Sequence, residues 1–280
     1  MLRKVKNIYD APEVMMGDTR LRQAIPMSGL QKIGPFILLH HFDKKMEAHG
    51  EGFHVPAHPH RGFCPITFMF EGSIEHNDSL GNSEVIHGDE VQWINAGRGI
   101  IHSETAGKDL IETGGRFQGI QLWINLRSED KMKTPSYQPI TKNEMVLIEA
   151  PGIEFRLVSG KFDGKIGPAI SATITAMLRM QKESNYEFEL PATNQSAMYV
   201  LEGSVEVNET QTCNQHSLIH FANDEGKIVL RAHDHAKLLI MSGEDIHEPI
   251  VSHGPFVMNT QTEILQAMKD YQEGRMGFLY

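Results

Sequence analysis

Two short histidine-containing motifs supply the ligand types of a metal site. The first is His58-Pro59-His60, and 42 residues later the chain has His102-Ser103-Glu104. Within each motif the two ligand-type side chains are spaced i, i+2, so on a β-strand both project from the same face. Two such strands side by side would bring three imidazoles and one carboxylate together. These ligands suit a divalent iron-type metal and leave two octahedral positions open to substrate, water or dioxygen.

The segments around the motifs have the patterns of strands that could position these ligands. Residues 64–70 (CPITFMF) alternate, and residues 71–73 (EGS) form a turn signal directly after them. Residues 85–94 predict a strand pair, and the glycine-rich residues 95–99 then bend the chain into the strand of His102. Both motifs therefore fall on predicted strands. Further histidines nearby in the sequence are interpreted as surface residues or as supports of the ligands: His40, His41, His54, His76 and His87.

Charge and composition exclude several classes of protein. The 280-residue chain has a formal net charge of −10 and no long run of lysine or arginine, which argues against direct nucleic-acid binding. It contains no stretch of 18 consecutive apolar residues and no apolar signal core, so we expect no membrane span. The two cysteines, Cys64 and Cys213, do not make a disulfide framework, and a cytoplasmic location is expected.

An internal repeat predicts two similar β domains. Residues 68–75 (FMFEGSIE) recur at 199–206 (YVLEGSVE), an offset of 131 residues, which is close to half the chain. Short strands separated by turn signals favour a barrel or sandwich over a parallel α/β sheet. The same offset carries the second motif onto His233 and His235, but it carries the first onto a segment with Pro191 and no histidine. We therefore predict that the second domain binds no metal and that its two histidines are ordinary polar residues.

A polar linker suggests where the domains divide. Residues 127–143 are polar and carry two prolines, so the predicted domains are 1–133, with the metal motifs, and 134–280. The second domain is expected to end in a helix, because Thr260 and Glu263 fit a capping box. The apolar stripe expected to pack this helix on a barrel comprises Ile264, Leu265, Met268 and Tyr271.

Four longer motifs together resemble the pirin family of bicupins. They are HPHRGF (58–63), GDEVQWINAGRGIIHSE (88–104), FQGIQLWINL (117–126) and GPFVMNTQTEI (254–264). The resemblance implies an all-β fold of two antiparallel cupin barrels, with iron bound only in the N-terminal barrel. Carried over position by position, it implies the same ligands that the spacing indicates: His58, His60, His102 and Glu104.

One position departs from the family pattern. Many pirins have glutamate directly after HPHRGF, where this chain has Cys64. The ligand set is unaffected, because pirins take their carboxylate ligand from the second motif. We interpret Cys64 as a small buried apolar residue, and the alternative is an oxidisable thiol near the metal.

The resemblance leaves two classes of function open. Some pirins cleave the flavonol quercetin with dioxygen, as quercetin 2,3-dioxygenases do, whereas others resemble metal- or redox-dependent regulators that bind a transcription factor or a metabolic enzyme. We favour the enzyme, with a flavonol or another small aromatic enol as substrate and Fe(II) or another divalent transition metal as cofactor. The cation would make the flavonol 3-hydroxyl more acidic, and Glu104 is the one ligand able to accept that proton as a general base.

Overall fold

Alternating apolar side chains fold most of the chain into short strands, because alternate residues of a strand face the core. The computed structural model describes residues 1–17, 19–50 and 52–279. The elements of its first half are β1 (Val5–Asp10), β2 (Glu13–Met16), β3 (Thr19–Ile25), β4 (Phe36–Met46), β5 (His54–His60), β6 (Phe63–Glu71), β7 (Ser73–Asp78), β8 (Ser83–His87), β9 (Val91–Asn95), β10 (Ile100–Ala106), α1 (Lys108–Thr113) and β11 (Gly115–Asn125).

The second half continues in the same way and ends in a helix. Its elements are β12 (Ser136–Ile140), β13 (Val146–Ala150), β14 (Ile153–Ser159), β15 (Lys161–Phe162), β16 (Lys165–Ile166), β17 (Ile174–Met180), β18 (Asn185–Glu189), β19 (Gln195–Glu202), β20 (Ser204–Val207), β21 (Gln211–Asn214), β22 (Ser217–Phe221), β23 (Lys227–Ala232), β24 (Ala236–Gly243), β25 (Val251–His253), β26 (Phe256–Met258) and α2 (Gln261–Gln272).

The chain forms two compact units that are interleaved in sequence. The histidine unit comprises Met15–Leu21, His41–Lys142 and Ile246–Tyr280, and the apolar unit comprises Met1–Val14, Arg22–His40 and Asn143–Asp245. This division differs from the contiguous domains 1–133 and 134–280 expected from the linker. One strand pairing and one helix packing contact explain the difference. Strand β1 pairs with β22 of the apolar unit, and helix α2 packs through Ile264 near Ile101 of the histidine unit.

Each unit contains a seven-stranded sheet, a four-stranded sheet and a two-stranded hairpin, which is β25-β26 in the histidine unit and β15-β16 in the apolar unit. The strands of the histidine unit have the orders β12-β9-β6-β11-β4-β3-β2 and β5-β10-β7-β8, and β2, β3 and β4 each also include residues of the apolar unit. In the apolar unit the orders are β1-β22-β19-β24-β17-β14-β13 and β18-β23-β20-β21. The two copies of the repeat are β6–β7 and β19–β20, joined in both cases by the Glu-Gly-Ser turn. The predicted all-β cupin fold with a C-terminal helix is confirmed, although the pairings between the described strands do not close either unit into a continuous barrel.

Helix α2 begins at the predicted capping box but buries a narrower face than expected. The Thr260 side chain accepts a hydrogen bond from the backbone N–H of Glu263, whose own side chain accepts from the backbone of Thr260. Ile264 is buried, whereas Leu265 is 58% and Tyr271 is 38% exposed, so the predicted stripe was wrong at those two positions. The buried residues are spaced three apart and form a single narrow stripe along the helix: Ile264, Ala267 and Asp270. In the described ranges, no helix has the length and apolarity needed to cross a membrane.

Gly62, two residues after the first motif, allows a close backbone approach. Its φ is +87°, and a Cβ atom built there would lie 2.0 Å from the carbonyl oxygen of Val257. We expect Gly62→Ala to destabilise the histidine unit by more than the ~1–3 kcal/mol of strained backbone alone, because the added methyl also clashes with Val257. Both tryptophans, Trp93 and Trp123, belong to this unit, so denaturant unfolding followed by tryptophan fluorescence measures the effect.

Gly81 provides the matched control for this substitution. It has a similar φ of +92°, but nothing lies within 4 Å of the Cβ position. Gly81→Ala should therefore show the cost of the backbone conformation without the clash. Equal losses of stability in the two variants would show that the approach of Val257 does not constrain position 62.

Candidate metal centre

Three neighbouring strands carry three pairs of polar side chains at i, i+2 spacing. Strand β10 lies between β5 and β7 in the four-stranded sheet of the histidine unit. On one side His102 is paired in register with His58, and on the other side it is paired with Asp78. Glu104 is opposite His76 on β7. Because alternate residues of each strand share a face, this register gathers imidazoles and carboxylates on one face of the sheet.

The nitrogen atoms of the predicted histidine ligands face one another. The Nε2 atoms of His58 and His60 are 3.0 Å apart, and the ring centroid of His102 lies 4.4 Å and 4.8 Å from theirs. The His58 Nδ1 atom is 2.8 Å from the Pro56 carbonyl oxygen, to which it donates when Nε2 carries the lone pair. His60 and His102 are buried, and within residues 1–17, 19–50 and 52–279 the Nε2 atom of His102 has no hydrogen-bond partner.

These contacts fit a divalent cation. The Nε2 atoms of His58 and His60 are directed at each other, and the buried Nε2 atom of His102 has no hydrogen-bond partner among the described residues, so three imidazole nitrogens lie close together as a potential ligand set. The donor atoms of His58, His60 and His102 all lie within 4.8 Å of one another and could hold a metal ion. Burial, followed by the nearby His58, lowers the pKa of His60 well below its ordinary value, and burial chiefly does the same for His102. Neutral imidazoles are the form that binds metals.

Glu104, the predicted carboxylate ligand, is buried beside the histidines. It belongs to a second group that could hold a metal ion, formed with His76 and His102. The side-chain amide of Gln92 on β9 donates a short hydrogen bond to Glu104 Oε1 and a 3.3 Å hydrogen bond to Thr67 Oγ1. This amide orients the carboxylate, as hydrogen-bond partners behind metal ligands commonly do.

Strand β7 adds His76 and Asp78 to the cluster. From the sequence, His76 was predicted only as a surface residue or a support of the ligands, and Asp78 was not predicted. Both are buried, with His76 Nε2 3.0 Å from Asp78 Oδ2 and His76 Nδ1 3.4 Å from His102 Nδ1. Burial alone would raise the pKa of Asp78, but hydrogen bonds from His76, Asn82 and Leu80 outweigh it and lower the pKa. The available signal was the i, i+2 spacing of His76 and Asp78, which repeats the spacing of the two metal motifs.

An apolar wall borders the cluster at His60. The Trp123 ring lies 5.5 Å from the His60 ring and 4.2 Å from the ring of Phe63, centroid to centroid. Cys64 follows on the same strand and is buried, and burial raises the pKa of its thiol to about 12. A thiol that stays protonated behaves as a small apolar residue and is a poor nucleophile or redox group. The structure therefore supports the apolar interpretation of Cys64.

The histidines of the second repeat copy lie apart from any such cluster. His233 is partly exposed, with Nε2 4.0 Å from Glu206 Oε2, and His235 is exposed. Neither belongs to the groups of residues that could hold a metal within the described ranges. That the apolar unit binds no metal stays a prediction.

Comparison with known proteins agrees with this geometry. The pirin family profile matches residues 18–124, and the profile of the pirin C-terminal cupin domain matches residues 175–277. The chain is 35% identical to a pirin-like protein of Solanum lycopersicum, over 92% of this chain and 87% of that protein. It is 34% identical to a putative quercetin 2,3-dioxygenase of Pseudomonas aeruginosa, over 98% of each.

A solved structure is similar over the full length. The crystal structure of a quercetin 2,3-dioxygenase from Acinetobacter baumannii has a TM-score of 0.93 and 30% identity, with all of both chains covered. The motifs that frame the histidine cluster, the two family profiles and this structural match all point to one family. The chain belongs to the pirin family.

Proposed function

We propose that this protein is a metal-dependent dioxygenase that opens the heterocycle of a quercetin-type flavonol with O2 and releases carbon monoxide. The observation that carries the proposal is the arrangement of His58, His60 and His102, whose ligand atoms all lie within 4.8 Å of one another. The quercetin 2,3-dioxygenase names of two relatives support the substrate class. The donor types support a redox-active divalent metal with open positions.

We propose Fe(II) as the metal and His58, His60, His102 and Glu104 as its ligands. When bound, such a cation would acidify the flavonol 3-hydroxyl and supply the chemistry toward O2. The protein's own contribution is orientation and exclusion of water. His60 and His102 are buried, and Trp123 and Phe63 cover the side next to His60. A dry, preorganised site of this kind strengthens the electrostatic interactions within it.

Glu104 is proposed as the general base. Of the four side chains it is the one whose carboxylate can take up the proton of the 3-hydroxyl while the histidines remain neutral donors. The Gln92 amide holds Oε1 and thereby fixes the plane of the carboxylate. Glu104 would thus both complete the metal site and remove the substrate proton.

The test is flavonol consumption by the purified protein loaded anaerobically with Fe(II). On admission of O2 we expect loss of quercetin absorbance with one O2 consumed and one carbon monoxide released per flavonol. The matched flavone without the 3-hydroxyl should not react. Parallel loading with Ni(II) and Cu(II) tests the metal, because these ions bind nitrogen and oxygen donors at least as tightly as iron.

The Glu104→Gln variant tests the base, since glutamine keeps the size of the side chain and removes its basicity. Compared at equal bound metal, we expect the rate to fall roughly 10²–10⁴-fold, the usual contribution of general base catalysis. Iron-loaded protein that leaves quercetin and related flavonols intact would contradict the proposed activity. An unchanged rate in the variant would contradict the role of Glu104 alone.

We also propose a reducing, cytoplasmic location. Cys64 and Cys213 are both buried and unpaired, so this fold does not use an oxidising compartment to form a disulfide between them. Fractionation of the source cells with an antibody to the protein tests the location. Recovery with the secreted or periplasmic fraction would contradict it.

A further inference from the structure

A chain of hydrogen-bonding groups extends behind His102, away from His58 and His60. Strand β7 places His76 and Asp78 opposite Glu104 and His102 of β10. The chain runs from Asp78 Oδ2 to His76 Nε2 over 3.0 Å, and from His76 Nδ1 to His102 Nδ1 over 3.4 Å. None of these three side chains is more than 3% exposed, so no solvent competes for these contacts.

The hydrogen bonds of Asp78 determine which ring nitrogens of His76 and His102 carry protons. The carboxylate of Asp78 accepts the backbone N–H groups of Leu80 and Asn82 at Oδ1, at 2.8 Å and 3.1 Å, and the side-chain amide of Asn82 at Oδ2, at 2.8 Å. An acceptor surrounded by donors requires His76 to present Nε2–H to it. A neutral His76 then has its lone pair on Nδ1, and can only accept from Nδ1–H of His102. The lone pair of His102 is thereby placed on Nε2.

The ring of His76 is also held in orientation by packing. Tyr137 of β12 stacks on it with a centroid distance of 4.2 Å and an interplanar angle of 5°. A ring clamped by stacking on one face and hydrogen-bonded through both nitrogens has one orientation available. His76 can therefore fix the orientation of the ring that it contacts, His102.

The second copy of the internal repeat, in the apolar unit, shows which residue occupies the position of His76 there. In the repeat alignment Ile74 corresponds to Val205, and His76 corresponds to Val207. Val205 and Val207 are both fully buried in the core of the apolar unit. Valine can therefore fill this inward-facing position of the fold. A buried histidine at position 76 is not required by the fold, which points to a role in the cluster.

We propose that Asp78 and His76 are positioning residues that lock His102 into the tautomer and ring orientation in which Nε2 binds the metal. The proposal rests on the metal-binding part of the proposed function and is independent of the flavonol reaction. Its alternative is that His76 binds the metal directly, as its grouping with His102 and Glu104 would allow. The contacts favour positioning, because each ring nitrogen of His76 already faces another side chain: Nε2 faces Asp78 and Nδ1 faces His102.

The first experiment measures metal affinity with Co(II), by optical titration and chelator competition. We expect His76→Leu and Asp78→Asn to weaken the Kd about 10–100-fold, the usual effect of losing a hydrogen-bond partner behind a metal ligand. His76→Gln keeps an acceptor for His102 Nδ1–H and should recover most of the affinity. His220→Leu is the matched control, since it removes a buried histidine of the apolar unit and should leave the Kd unchanged.

Two further readouts separate positioning from packing. Thermal unfolding of the metal-free variants measures any loss of stability, and equal Kd losses in His76→Leu and His76→Gln would show a packing role and overturn the proposal. Long-range ¹H–¹⁵N spectra of the zinc-loaded protein should show His102 protonated at Nδ1 and His76 protonated at Nε2. A metal-bound nitrogen on His76 would overturn it in favour of direct ligation.

The outcomes also distinguish this proposal from the proposed function. Wild-type Kd values in the His76 and Asp78 variants would contradict the positioning role alone. A wild-type protein that binds no Co(II), Zn(II) or Fe(II) would contradict the metal site and the positioning role together. Failure to consume quercetin with metal bound would contradict only the proposed reaction.

Discussion

Replacing His102 by alanine is expected to abolish stoichiometric metal binding. Its Nε2 atom is buried and has no hydrogen-bond partner in the part of the chain that the structure describes, and its ring centroid lies within 4.8 Å of those of both His58 and His60. Loss of a ligand at the centre of the cluster should weaken the Kd by more than the roughly 10–100-fold that follows from losing a supporting partner. Metal content after dialysis, measured by elemental analysis, and Co(II) titration report the loss. His58→Ala is expected to act in the same direction.

The matched control is His233→Ala. His233 is the repeat counterpart of His102, but it is partly exposed and its nearest carboxylate oxygen is 4.0 Å away. We expect this variant to retain the metal content and Kd of the unchanged protein. Equal losses of metal from His102→Ala and His233→Ala would contradict the assignment of the site to the histidine unit.

Replacing Asp270 by alanine is expected to cause a large loss of stability in the histidine unit. The Arg61 guanidinium follows the first metal motif directly and is 2.9 Å from the Asp270 carboxylate, with the two side chains 4% and 11% exposed. Removing one partner of a buried ion pair leaves the other charge uncompensated, which costs about 3 kcal/mol or more. Alanine is the best helix former, so helix propensity does not contribute to the loss. Denaturant unfolding followed by the fluorescence of Trp93 and Trp123 isolates this unit.

Glu273→Ala provides the control, at the C-cap of the same helix. Glu273 is exposed and pairs with Arg275 at 2.8 Å, and exposed pairs contribute little, about 0–1 kcal/mol. If both alanine variants unfold at the same denaturant concentration, the Arg61–Asp270 pair does not stabilise the unit.

The same ion pair predicts a dependence of stability on pH. Burial would raise the pKa of Asp270, but hydrogen bonds from Gln266 and Arg61 outweigh it, so the folded pKa is lowered. The stabilisation is then complete above the unfolded pKa of about 4 and is lost as the pH falls through the lower folded value. Between those limits, the difference in stability between wild type and Asp270→Ala should shrink as the pH falls. A difference that grows on acidification would contradict the assignment.

The part of the site that follows from local pattern could be predicted from the sequence. His58, His60, His102 and Glu104 are gathered on one sheet because i, i+2 spacing on a strand requires no knowledge of distant contacts. Antiparallel pairing of β5 and β10 then brings the two motifs into register at His102. The family motifs and the internal repeat also predicted the all-β fold of two similar units.

What depends on contacts between distant segments could not be read in the same way. The residues near Thr260 do not predict that α2 packs beside Ile101. The sequence of β1 likewise does not predict that β1 pairs with β22. The contacts of His76 could not be predicted for a related reason. Its partners are set by the register of β7 against β10, and a shift of one residue would have turned the side chain to the opposite face.

The interleaving of the two units has a consequence for the order in which they can be completed during synthesis. The apolar unit has all of its segments once Asp245 has been added, because its last segment ends there. The histidine unit still lacks β25, β26 and α2 at that moment, although the strands with the ligands were made much earlier. Ribosomes add about 5–20 residues per second, so the strands with the proposed ligands wait roughly 8–30 seconds for the segment that buries Ile101 and pairs with Arg61. The proposed metal ligands are encoded in the first half of the chain, but the unit that holds them is the last to be finished.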